Sequence, residues 1–155
     1  MVKVCASTII DAPAADVWAI LRDFNGHDRW HPAIKSSQIE EGAPDMVGAV
    51  RRFRLADGSE LREQLLALSD VRHELRYCLR ASTVPLMGYI ARLRLLPVTD
   101  GNQTYWEWSS EFTPPPGRAA ELVALVRDGI YLAGFDAIRA RLTCHNRGRG
   151  KSAIP

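Results

Sequence analysis

The chain has 155 residues, 46% of them apolar and 25% charged, with 20 Lys and Arg against 18 Asp and Glu for a formal net charge of +2. That length suits one domain able to bury a core without staples, and the composition excludes wholesale disorder. So small a net charge gives no basis for nucleic-acid or anionic-membrane binding, and no apolar run matches a signal peptide or the ~20 residues of a membrane span, so a cytoplasmic protein without integral membrane association is expected.

Val2, Val4, Ala6, Thr8 and Ile10 share one parity against Lys3, Cys5 and Ser7, the alternation of a half-buried strand over 2–10. Asp11 offers a helix cap and Pro13 suits a first turn. Val17, Leu21 and Phe24 then give an apolar stripe, and Gly26 and Pro32 end the helical region. Turn residues at 41–44, 57–58, 69–70 and 98–102 cut the middle of the chain into strands near 34–41, 48–55, 60–69, 74–81, 88–97 and 104–113. With the first strand that makes seven, and the short connections favour antiparallel neighbours.

A three-residue loop over Asp57–Ser59 puts Arg51, Phe53, Leu55, Leu61, Glu63 and Leu65 on one face, and Arg52, Arg54, Glu60, Arg62 and Gln64 on the other. The first set reads as the core face, and it makes Arg51 and Glu63 diagonal neighbours. The same parity turns Tyr77, Tyr89, Trp106, Trp108 and Ser110 inward. Pro114–Gly117 is a stiff connector that starts a helix of about 25 residues near Arg118, on which Val126, Ile130 and other apolar residues recur at helical spacing. Gly129 and Gly134 inside that helix point to close approach of another element or to a relaxed packing requirement. The pattern stops after Leu142, which divides the chain into a single domain over 1–144 and a basic, glycine-rich, disordered tail over 145–155.

An arginine and a glutamate among inward Phe53, Leu61 and Leu65 form the one arrangement with obvious chemical potential. Desolvating both charges costs about as much as their attraction returns, so a protein built only to fold gains little from such a pair. Three readings stay open: mutual satisfaction of the two charges, orientation of a ligand, or proton transfer by Glu63 with Tyr77 as partner. Arginine beside a carboxylate lowers its pKa, which weakens the last of these. Trp30 either anchors its loop by burial or walls a ligand site, with His31 solvent-facing or at an entrance. His27 and His73 fall in turn-like stretches and read as surface residues. The aromatic side chains Phe53, Tyr77, Tyr89, Trp106 and Trp108 are core in any fold and become a binding wall only where the helix stands off the sheet.

Cys5, Cys78 and Cys144 show no CxxC spacing and read as free thiols. No histidine has metal-ligand spacing, and phosphate-cradling glycine loops, GxSxG and HExxH are missing, so neither a metal nor a cofactor is expected.

The order of elements, with Ala12-Pro13, Val17-Trp18, Asp23-Phe24, Trp30-His31-Pro32, Val47-Gly48 before Arg51, Asp57-Gly58 before Glu63, then Tyr77 and Trp108, resembles the START-related helix-grip (SRPBCC) superfamily, in particular its polyketide cyclase/dehydrase and lipid-transport branch. The resemblance runs from Val2 to about Leu142. It implies an α+β fold in which a curved antiparallel sheet, with two short helices after strand 1, wraps a long C-terminal helix around a cavity. It also implies binding of a small hydrophobic or aromatic metabolite or lipid there, the wall being drawn from Trp30, Arg51, Phe53, Glu63, Leu65 and Tyr77 together with Tyr89, Trp106, Trp108, Val126 and Ile130. The alternatives are a cofactor-independent cyclase or dehydratase using Glu63, Tyr77 and Arg51, and an accessory protein with a vestigial cavity. Whether the chain pairs as a homodimer is left open.

Overall fold

The computed structural model of the chain describes residues 1–149, with side chains as far as Thr143. The alternating segments form β1 (Val2–Ile10), β2 (Ile34–Glu41), β3 (Val50–Leu55), β4 (Glu60–Ser69), β5 (Glu74–Ser82), β6 (Met87–Val98) and β7 (Gln103–Thr113). Their order across the sheet is β1-β7-β6-β5-β4-β3-β2. Every pair is antiparallel, so β2 to β7 are an up-and-down meander and β1 returns beside β7. Register shifts within β2, β4 and β6 mark bulges, which bend strands and curl a sheet.

Helix α1 (Ala14–Leu21) and a short 3-10 turn (His27–Arg29) fill the link from β1 to β2. Pro13, rather than Asp11, is the residue that precedes the first turn of α1, and its carbonyl accepts the Asp16 and Val17 N–H groups. The C-terminal helical run is continuous and has three parts: α2 (Ala119–Ala124), a π-helical stretch (Leu125–Leu132) and α3 (Ala133–Arg149). The helix therefore continues past Leu142, where apolar periodicity ends, as far as Arg149. Of the tail assigned to 145–155, residues 150–155 and all the side chains lie outside the described residues, as does the Cys144 side chain.

Parity identified the core face. Leu65, Leu75, Leu93, Trp106, Trp108 and Phe112 are each at most 1% exposed. The C-terminal helix closes over them, with Tyr131 stacked on Trp108 at 4.7 Å and Phe135 set edge-on to Trp106 at 4.6 Å. On the opposite face the arginine rows are interleaved with acids. Arg52 and Arg54 both reach Glu60 at 2.6 Å, and Arg92 and Arg94 share Glu107. These exposed pairs contribute little to stability, about 0–1 kcal/mol each.

The β3–β4 hairpin has a three-residue loop, but it spans Ala56–Gly58, one position earlier than the sequence pattern indicates. The Leu55 N–H donates to the Ser59 carbonyl, and Gly58 takes the positive φ of +92° that closes such a loop. As a result Arg51 lies directly opposite Glu63, not diagonal to it. No helix among the described residues is long and apolar enough to cross a membrane.

Candidate functional site

Between the inner sheet face and the C-terminal helix lies a cavity of about 50 Å³. Its wall is apolar except for His27, Arg51, Glu63, Tyr77 and Tyr89, which come from the 3-10 turn and from four adjacent strands. Arg51 is 1% exposed and Glu63 4%. The Arg51 Nε and Nη2 groups both donate to Glu63 Oε2, at 3.1 and 2.6 Å, and Nη1 donates to the Phe24 carbonyl. The guanidinium lies over the Phe24 ring, 4.3 Å from its centroid, with Phe53 at 5.1 Å. Arg51 thus places three of its five N–H groups on protein acceptors, whereas Glu63 Oε1 takes no hydrogen bond from the described residues.

Burial raises the Glu63 pKa above the ordinary carboxylate value, and the neighbouring Arg51 offsets this only in part. The Tyr77 hydroxyl accepts the Trp108 Nε1–H at 2.9 Å, which leaves its own proton for another acceptor, and its pKa is held well above the phenol value by burial. Tyr89 and Tyr131 pair hydroxyl to hydroxyl at 3.1 Å. Ser110 is buried but lies outside the cavity wall, and its Oγ finds no partner among the described residues.

His27 and His31 are the largest departures from the sequence reading, being 3% and 2% exposed where a surface position was expected for His27 and a solvent-facing or entrance position for His31. His31 is a strut. The Ala33 N–H donates to its Nδ1 at 3.2 Å, so the proton sits on Nε2, which donates to the Ile130 carbonyl in the π-helical stretch at 2.8 Å. Gly134 makes that approach possible, because a Cβ there would stand 3.0 Å from Trp108 and 3.2 Å from the His31 ring. Gly129, by contrast, would meet only the Leu125 side chain at an ordinary 3.6 Å. His27 packs edge-on to Trp30 at 4.9 Å and near Trp108 at 6.0 Å, and neither ring nitrogen has a partner among the described residues. Burial lowers both histidine pKa values, His27 well below the ordinary 6.5, and Arg51 adds to both shifts.

Of the residues expected to wall a ligand site, Arg51, Phe53, Glu63 and Tyr77 line the cavity, and so do Tyr89, Trp108, Val126 and Ile130. Trp30, Leu65 and Trp106 do not: Trp30 and Trp106 pack together at 6.3 Å behind the wall, with Leu65 fully buried. The wall also contains residues not among those expected there, namely His27 and the apolar Ile34, Leu55, Leu61, Leu79, Val84, Leu86 and Leu125. Val84 and Leu86 lie in or beside a Pro-containing turn that carries no periodic signal. Among the described residues no group of three or more His, Cys, Asp or Glu side chains is placed to hold a metal ion.

The sequence model of a family described as polyketide cyclase / dehydrase and lipid transport matches residues 1–143. Similar solved structures include protein XoxI from Bacillus cereus, 28% identical, covering 91% of this chain and 95% of its own, with a TM-score of 0.82. A protein from Thermobifida fusca is 30% identical, covers 91% of this chain and 93% of its own, and has a TM-score of 0.81. A START superfamily protein from Mycobacterium smegmatis is 16% identical with a TM-score of 0.71, covering 90% of this chain and 95% of its own, a likeness of fold alone.

Proposed function

Because the chain belongs to the polyketide cyclase/dehydrase and lipid-transport family and has its START-like helix-grip fold, we propose that it binds a small hydrophobic or aromatic molecule between the sheet and the C-terminal helix. The observation that carries this reading is the cavity itself: an apolar enclosure in which a few polar side chains are grouped, the usual form of a small-molecule site. A protein built only to fold has no need of Arg51 and Glu63 at such a place, since apolar residues of similar volume serve as well or better.

At about 50 Å³ the enclosure accommodates water-sized occupants, whereas drug-sized ligands occupy pockets of roughly 300–1,000 Å³. Binding therefore entails an outward shift of part of the wall. The π-helical stretch, which supplies Leu125, Val126 and Ile130, the turn carrying Val84 and Leu86, and the 3-10 turn carrying His27 are the parts not built from sheet. π-helical turns are frequent at functional sites.

Fluorescence titration with the neutral apolar probe N-phenyl-1-naphthylamine tests the reading. Saturable one-to-one binding at about micromolar strength is expected from apolar burial after association costs, and Ile130→Trp, which fills the cavity, should abolish it. A wild-type protein that shows no saturable binding would favour an accessory protein with a closed interior.

A second reading has its own support. The raised pKa and unpartnered Oε1 of Glu63 suit a cofactor-independent cyclase or dehydratase in which this carboxyl moves a proton. Once a substrate is in hand, Glu63→Gln should lower turnover by about 10²–10⁴-fold; full activity in that variant would remove Glu63 from the chemistry.

A further inference from the structure

His27 is the cavity residue whose hydrogen-bonding capacity the fold leaves unused. It is 3% exposed, it lines the cavity, and neither ring nitrogen meets a protein partner among the described residues. Buried imidazoles are ordinarily satisfied, as His31 is by Ala33 and Ile130 only four positions along the chain. Contact with Trp30 and Trp108 fixes the ring from the sides and accounts for its position but for neither of its nitrogens.

We propose that His27 is a specificity-determining residue whose unprotonated ring nitrogen accepts a hydrogen bond from a hydroxyl group on an uncharged ligand. This rests on the reading of the cavity as a small-molecule site.

The charge count around the cavity sets the class of ligand. Arg51 and Glu63 neutralise each other at 2.6 Å, and Nη1 of Arg51 also donates to the Phe24 carbonyl. A carboxylate or phosphate entering the enclosure finds no free cation, and an ammonium group would be set beside Arg51 with the carboxylate already engaged. Either would be buried without a counter-charge, which is strongly unfavourable. The unused atoms are of both kinds: Glu63 Oε1 and the unprotonated nitrogen of a neutral His27 can accept, while the Tyr77 proton, the His27 N–H and the second N–H on each Arg51 Nη can donate. A group that both donates and accepts, as an alcohol or phenol does and an ether or hydrocarbon does not, satisfies this set.

The test uses phenol, anisole and toluene, three ligands of one ring size that offer a donor and acceptor, an acceptor alone, and neither. Affinities are read by displacement of N-phenyl-1-naphthylamine from the wild type, from His27→Leu and from His27→Gln. The phenol-to-toluene affinity ratio should fall by about tenfold in His27→Leu, the worth of one hydrogen bond with a buried partner. Anisole should show no comparable loss, and His27→Gln, which retains a donor and an acceptor, should recover part of the ratio. A measurement on the wild type alone guards against a variant that fails to fold: the ¹⁵N resonance of the unprotonated His27 nitrogen should move on adding phenol and stay in place on adding toluene. If the ratio is the same in His27→Leu and the ¹⁵N signal does not respond to phenol, the role of His27 is overturned while the cavity reading stands. If no member of the series displaces the probe from the wild type, the cavity reading falls and this inference with it.

Discussion

Arg51→Met should destabilise the fold by about 3–5 kcal/mol, while the double variant Arg51→Met with Glu63→Leu should be near the wild type or more stable. The asymmetry follows from burial. Glu63 is 4% exposed and, among the described residues, Arg51 is the only cation bonded to it, so removing the arginine alone strands a carboxylate in an apolar enclosure and leaves the Phe24 carbonyl without that donor. Removing both charges eliminates the desolvation of each. Urea titration of the two proteins side by side decides the matter. Equal losses in the single and double variants would mean that the cost lies in lost packing of the guanidinium on Phe24 and Phe53, not in an unpaired charge.

Acid should weaken the protein well before its surface carboxylates titrate. His27 and His31 have folded-state pKa values below the ordinary 6.5. The unfolded chain therefore takes up protons first, and the stability these groups contribute is fully present above about pH 6.5 and lost as pH falls toward their depressed values. Asp70 and Glu60 are also depressed, by Arg22 and Arg52, but from starting values of 3.8 and 4.5, so their contribution is lost only at lower pH. Glu63 acts in the opposite sense. Its raised pKa penalises the charged form, so it becomes more costly as pH rises through and above 4.5. The clean observable is the urea midpoint of the wild type minus that of His27→Leu, which should be constant above about pH 6.5 and fall below it. A difference independent of pH from 7 to 5 would show that His27 is no harder to protonate in the folded protein than in the unfolded chain.

Strand placement was legible in the sequence because alternation and turn residues are local signals. Val2 to Ile10 and the runs ending at Leu95 and Phe112 needed no knowledge of their partners. The inward placement of Arg51 and Glu63 followed from the same parity, but their exact pairing did not. It depends on which residue of the hairpin takes positive φ, and Gly58 rather than Ser59 sets that position. The buried histidines were hidden for a different reason. His27 and His31 sit among Gly, Asp, Arg and Pro, a composition that reads as a surface turn, and are buried only because the chain folds them under Trp108 and the π-helical stretch. The spacing of His27, Trp30 and His31, three ring side chains within five residues, was the available hint.

The π-helical stretch itself leaves no periodic trace beyond Gly129, since eight residues are too few to separate one helical period from another. Trp30, Leu65 and Trp106 shared the burial expected of a cavity wall, and parity could not tell which inward residues touch open space and which touch one another. That distinction is one of volume, and the aromatic side chains fill most of it.

Gly134 ties three distant segments to a single constraint. A methyl group there would press on Trp108 and His31 together, and neither ring is free to retreat: Trp108 is stacked between Trp106 and Tyr131, and His31 is held by the Ile130 carbonyl. Positions 31, 108 and 134 are therefore not independent in mutational space. A larger residue at 134 becomes acceptable once 108 carries a smaller ring or 31 gives up its imidazole, so a drift that begins with the glycine stalls unless one of the other two has already changed.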